Sequence, residues 1–112
     1  MIVMKRSKSK LLPMPVQQKL SVVGEQIKLA RLRRKLTIKQ IADRATCSEL
    51  TVIRIEKGNS AVSIGAYIRV LYGLGLADDI LHLAGDDLVG RSLEDARLMN
   101  QKKKKEEDYD FD

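Results

Sequence analysis

Apolar residues recur along most of the chain at spacings of three and four, and the interruptions between these runs carry helix-starting residues. The periodicity predicts a first helix from about Leu20 or Ser21 to Lys35, with Val23, Ile27 and Ala30 inward and Lys28, Arg31 and Arg34 off that face. Thr37 followed three residues later by Gln40 is a capping box, in which hydroxyl and amide side chains satisfy each other's backbone N–H groups. It starts a very short second helix, roughly Ile38 to Ala45. Ser48 offers the next N-cap, with Glu49 in the first turn, where a carboxylate suits the helix dipole. The third helix runs to about Lys57 and stops at Gly58, a residue suited to the position just past a helix end. Ser63 caps a fourth helix with Ile64, Tyr67, Ile68 and Leu71 inward, ending near Gly73-Leu74-Gly75. Asp78 is expected to cap a fifth, with Leu81 and Ala84 inward.

Both ends depart from this pattern. Residues 1–19 are basic and interrupted by Pro13 and Pro15, each of which biases its predecessor to extended geometry, so they read as a flexible arm. Residues 20–84 form the folded domain. In residues 85–112 the apolar positions (Leu88, Val89, Leu93, Leu98) are sparse. The chain then runs through Lys102–Lys105 into the acidic Glu106-Glu107-Asp108-Tyr109-Asp110-Phe111-Asp112. So polar a stretch buries too little surface to offset chain entropy and reads as a largely disordered tail.

Composition narrows the class. At 112 residues the chain has room for one small domain. Aromatics are 4% of residues, and Leu, Ile, Val and Ala dominate, which fits a small all-α core. The single cysteine, Cys47, and single histidine, His82, exclude an intrachain disulfide and a Cys/His zinc cluster. Cys47 sits at an apolar scaffold position, where an inert thiol is expected. The start lacks the apolar core of a signal peptide. The longest nearly apolar run, Ile64 to Ala77, is too short for a membrane span and contains Arg69. No Ser/His/Asp grouping, paired-carboxylate pocket or Gly-rich phosphate loop is present, so neither an enzyme nor a cofactor is expected. The location expected is cytoplasmic, associated with the nucleoid.

Charge is divided unevenly: +5 over residues 1–19, +6 over 20–76 and −5 over 77–112. A basic front suggests a polyanion partner for the first two thirds.

The second and third helices carry the functional signal. Ile41, Ala45, Cys47, Val52 and Ile55 are apolar where two helices joined by about three residues must seal together, and Ala42 is small at their closest approach. With Val52 and Ile55 inward, Glu49, Leu50, Ile53, Arg54 and Lys57 are left on the outer face. A protruding helix in a basic surround suits the DNA major groove.

Through "LTIKQIADRATCSELTVIRIEKG" and the "LGL" that closes the fourth helix, residues 23–76 resemble the Cro/repressor-type (XRE) helix-turn-helix family. The segments "VSIGAY", "GLGLAD" and "SLEDARL" extend a narrower resemblance to Leu98, toward HipB-like antitoxins. The resemblance implies a five-helix repressor-like domain, homodimerisation, palindromic operators in double-stranded DNA and a HipA-like serine/threonine kinase toxin as partner. The chain departs from the family at Thr46, where glycine is usual in the turn, and at Ile38, where glutamine is usual. A β-branched residue at positive φ is costly, so either the turn is altered or strain is tolerated.

Base contacts are expected from Glu49, Leu50, Ile53 and Arg54. Arginine is the commonest reader of guanine, glutamate accepts from cytosine, and the aliphatic pair suits thymine methyls. Three of them have an ordinary alternative: a phosphate contact or exposed charge for Arg54, a first-turn charge for Glu49, partial burial for Ile53. Phosphate contacts are expected from Thr37, Lys39, Ser48, Thr51, Lys57, Asn59 and Ser60, near helix starts and turns. Capping and turn formation explain Asn59, Ser60 and Ser63 equally well. Glu56 is expected to pair with a base on the first helix. Tyr109 and Phe111, alternating with acids, are candidate partner-binding residues, with a solvated tail as the alternative. A sequence-specific repressor serving as antitoxin leads the functional readings. A stand-alone regulator without a toxin, and an interaction protein whose acidic tail matters most, are the alternatives.

Overall fold

The computed structural model describes residues 11–109. Among these residues five α-helices and one 3-10 helix follow in order: α1 (Met14–Arg33), α2 (Ile38–Ala45), α3 (Glu49–Glu56), α4 (Ile64–Gly73), the 3-10 helix (Ala77–His82) and α5 (Leu88–Tyr109). No strand occurs among the described residues, and the fold is all-α as expected. The chain divides into two compact units, residues 1–80 and 81–112.

In the first unit, α1 begins well before the expected Leu20, so residues 14–19 are helix and not arm. The two prolines assist this start. Pro13 is the N-cap and Pro15 sits in the first turn, where a missing N–H costs nothing because helix-start amides lack internal partners. The inner face of α1 is Gly24, Ile27, Ala30 and Arg31, which displaces Val23, 40% exposed, from its expected core position. Arg31, expected off the face, is buried.

Helices α2 and α3 match their expected limits closely. Thr37 Oγ1 accepts from Gln40 N at 3.1 Å while Thr37 N donates to Gln40 Oε1 at 2.8 Å, the full capping box. Ser48 Oγ accepts from Thr51 N at 3.1 Å at the start of α3. Ile41, Val52, Ile55 and Val70 are completely buried and anchor a core completed by Ile27, Ala30, Ala42, Ala45, Tyr67 and Leu74. Burial of each large aliphatic side chain contributes about 1.5–3 kcal/mol. Cys47 packs partly buried at the edge of this core.

Two glycines let α1 lie against the end of α3. A Cβ on Gly24 would fall 2.6 Å from the carbonyl oxygens of both Ile55 and Glu56. Gly58, at φ +73°, takes the left-handed position that ends α3, and a Cβ there would lie 2.7 Å from Ser21 Cα.

The fourth helix is rotated from its expected setting by about one residue's step. Tyr67, Val70, Gly73 and Leu74 face the core, Ile68 and Leu71 are half-buried, and Ile64 is 60% exposed. The Tyr67 hydroxyl donates to Asn59 O at 2.9 Å, and Gly73 passes close to Arg44 Cβ; these contacts set the rotation. The expected fifth helix at 78–84 is instead the 3-10 helix. Asp78 lies inside it and does not cap it, and Leu81 and Ala84 are exposed.

In the second unit, α5 is regular helix over much of the stretch expected to be a disordered tail. The expectation that this stretch holds no packed core agrees with the exposure of Leu88, Val89, Leu93 and Leu98. Asp87 Oδ1 accepts from Gly90 N at 3.0 Å, an N-cap that starts the helix, and the pairs Arg91–Asp95 and Arg97–Glu94 line its side. Of Tyr109 only the backbone is described, as the last residue of α5. Phe111 and the basic residues of the first ten positions lie outside the described residues.

Candidate nucleic-acid interface

Ala45 and Glu49 bracket a three-residue turn, Thr46-Cys47-Ser48, that aims α3 away from α2. Thr46 adopts φ 56°, ψ 50°, so the left-handed turn is kept despite the missing glycine. Its conformation is supported on both sides. Cys47 N donates to Ala42 O at 3.0 Å, and Arg69 Nη1 donates to Thr46 O at 3.2 Å. Burial pushes the Cys47 thiol up from its ordinary pKa, against a smaller opposite pull from Arg69.

The α3 helix is held from behind by an ion pair. Arg31 Nε meets Glu56 Oε2 at 2.7 Å and Arg31 Nη2 meets Glu56 Oε1 at 3.1 Å, with side chains 9% and 7% exposed. Arg31 Nη1 also donates to Leu36 O at 2.9 Å. Hydrogen bonding to Glu56 raises the Arg31 pKa, overriding the opposing effect of desolvation. A fork-to-fork pair of this kind fixes relative orientation as well as adding attraction. The expectation for Glu56 is met, and its partner proves to be Arg31.

The outer face of α3 presents Glu49, Leu50 and Arg54 to solvent, with Lys57 exposed one turn past Ile53. Leu50 is 51% exposed, whereas Ile53 is half-buried. The polar residues around this face are already engaged locally. Thr37 and Ser48 act as caps, and Thr51 Oγ1 shares a hydrogen bond with Ser48 Oγ at 2.9 Å. Asn59 Oδ1 accepts from Ala61 N at 2.7 Å in a tight turn. Lys39 lies 3.5 Å from Asp43 in an exposed pair, and Ser60 is exposed. Thr37, Lys39, Ser48, Thr51, Lys57, Asn59 and Ser60 therefore border the ends of α2 and α3 and the loop leaving α3.

One contributor escaped the pattern-based reading. An open groove beside α3 is lined by Ser21, Glu25, Lys28, Ile38, Ile53 and Lys57, so Lys28 of α1 joins the basic border. Its sequence signal was slight: a lysine one turn before Arg31, indistinguishable from any solvated helix charge.

The profile of the helix-turn-helix domain family matches residues 22–83, more than half of the chain, and the chain belongs to that family, whose fold is a DNA-binding one. No curated protein sequence and no solved structure matches the chain. No helix among the described residues is long and apolar enough to cross a membrane.

Proposed function

We propose that this protein is a sequence-specific transcriptional repressor of the Cro/repressor type, acting as a homodimer on a palindromic operator. The observation that carries it is an α3 whose exposed face holds Leu50 and Arg54, with Lys57 just past its end, projecting beyond a three-residue turn. Each α3 enters a major groove, the two grooves lying about one helical turn apart on the duplex. Arg54 reads guanine, Glu49 accepts from cytosine, and Leu50 meets thymine methyls, with Ile53 packing beneath. Lys39, Lys57, Ser60 and the free amides at the helix starts capped by Thr37 and Ser48 hold phosphates. Repression is by occupancy and involves no chemical step on DNA, and its site of action is the nucleoid in the cytoplasm.

The test is selection of binding sites from random duplex DNA by the full chain. The expected result is enrichment of a two-fold sequence with half-sites about one turn apart. No enrichment, with no retention of DNA even at low salt, overturns the proposal.

The antitoxin role rests on "VSIGAY", "GLGLAD" and "SLEDARL", similar to HipB-like regulators. On that ground we propose a HipA-like kinase as partner, neutralised by complex formation. Co-purification of the tagged chain from its native host separates this from a stand-alone regulator. A kinase in stoichiometric amount supports it, and DNA without a kinase favours the alternative.

A further inference from the structure

A second open groove, of about 460 Å³, lies between the end of α2 and the side of α4. Arg44 and Thr46 form one wall, Ile68, Arg69 and Tyr72 the other, with Ala77 beyond them. All of these residues belong to the first compact unit. Ile68 and Tyr72, four positions apart, share one side of α4. Arg44, Arg69 and Tyr72 are exposed, and Ile68 and Ala77 are half-buried.

Arg44 Nη1 donates to Gly73 O at 3.4 Å, and Arg69 Nη1 donates to Thr46 O at 3.2 Å. These bonds hold both guanidinium groups at the groove while using one of the five N–H donors that each carries. Among the described residues no carboxylate stands within ion-pair distance of either arginine. Two anchored cations thus flank an apolar strip of Ile68, Tyr72 and Ala77. The groove opens at the C-terminal ends of α2 and α4. Thr37 and Ser60, with the phosphates proposed for them, border the opposite ends. Thr37 stands ~10 Å along the α2 axis from Arg44, and Ser63 ~13 Å along the α4 axis from Tyr72.

We propose that this groove binds an acidic segment of a partner protein, one in which carboxylates flank an apolar side chain. The carboxylates take the remaining N–H groups of Arg44 and Arg69, because a guanidinium fork matches a carboxylate two-to-two. The apolar side chain lies on Ile68 and Tyr72. A nucleic-acid backbone would use the arginines and leave the apolar strip uncovered, which favours the peptide. The outer face of α3 stays open in that complex, so partner and DNA are bound together. A contact this small falls below the standard interface, and a short peptide is expected to bind with a Kd on the order of 100 µM.

The experiment follows the backbone amide resonances of the full, isotope-labelled chain during titration with a blocked Asp-Glu-Phe-Asp-Asp-Leu peptide. The amides of Arg69 and Tyr72 are expected to shift and saturate. Replacing the peptide's acids by their amides, or its Phe and Leu by Ser, should weaken binding at least about fivefold. Arg44→Gln with Arg69→Gln should weaken it at least about tenfold, whereas Lys19→Gln with Arg33→Gln, an equal loss of charge elsewhere, should change it less than about twofold. Tyr72→Glu leaves both arginine–carbonyl bonds in place and should also cost at least about tenfold, which keeps the test valid if loss of Arg69 loosens the turn. A random-sequence DNA duplex, titrated separately, should leave the Arg69 and Tyr72 amides unmoved. Absence of peptide shifts in the groove overturns the proposal. So do equal losses in the two arginine and lysine–arginine variants, undiminished binding of the serine peptide or to Tyr72→Glu, or groove shifts with the duplex.

Discussion

Arg31 and Glu56, 25 residues apart, close a two-point ion pair that ties the last turn of α1 to the last turn of α3. Both side chains are nearly inaccessible, and the third guanidinium nitrogen is satisfied by Leu36 O. The outer face of α3 is thus presented from a fixed support instead of a loose helix end. The same contact brings α1 so close that Gly24 has no room for a side chain.

Removing one partner should leave a buried, unpaired charge. Arg31→Ala and Glu56→Ala are each expected to lower stability by about 3 kcal/mol, whereas Arg31→Ala with Glu56→Ala should lose clearly less than the two single changes summed. Urea unfolding of the single and double variants checks this; strict additivity would show that the pair acts as two independent residues.

Gly24→Ala should reverse the usual preference for alanine in a helix, worth about 1 kcal/mol. The added Cβ meets two backbone oxygens that cannot move aside without separating α1 from α3. A loss of about 1–3 kcal/mol is expected. A gain in melting temperature would mean that the two helices lie further apart.

Thr46→Gly is expected to stabilise by about 0.5–1 kcal/mol. Relief of a left-handed β-branched residue, about 1–2 kcal/mol, exceeds the about 0.4–1 kcal/mol of entropy that glycine adds to the unfolded chain. DNA affinity should change by less than about twofold in the same variant, since the turn geometry is already the one glycine would adopt. Chemical denaturation and a binding titration report the two effects separately.

Arg54→Ala should cost about 1–3 kcal/mol on the selected site and relax preference at one base position. Lys57→Ala should weaken all sequences alike and flatten the salt dependence. For the wild type, if about 4–8 phosphates per dimer are neutralised, the log–log slope lies near −4 to −7. Equal losses on cognate and random DNA for Arg54→Ala would remove it as a base reader.

Stability should be level through neutral pH and fall on the alkaline side. Desolvation raises the pKa of both the Cys47 thiol and the Tyr67 hydroxyl in the fold. Each then keeps its proton more firmly folded than unfolded. Their contribution is complete below the ordinary thiol range, near 8.5, and is lost as pH rises through the folded values. Urea midpoints between pH 7 and 10.5 measure it, and a midpoint that climbs over that interval would contradict the burial of both groups.

Local signals made the centre of the fold legible. A capping box acts within one helical turn, so Thr37 and Gln40 mark the start of α2, Ser48 that of α3 and Gly58 its end, whatever surrounds them. The scaffold positions Ile41, Ala45, Val52 and Ile55 follow from the same short spacing, and with them the outward setting of Leu50 and Arg54. Other features depended on partners distant in the chain. An arginine among lysines carries no mark of burial until Glu56 arrives from another helix. In the same way α4 offered two adjacent apolar faces, and the Tyr67 bond to Asn59 with the close passage of Gly73 past Arg44 selected between them. Pro13 and Pro15 read as breakers because their cost depends on whether they stand inside a helix or at its first turn, and only the packing of α1 against Gly58 and Glu56 sets where that turn begins.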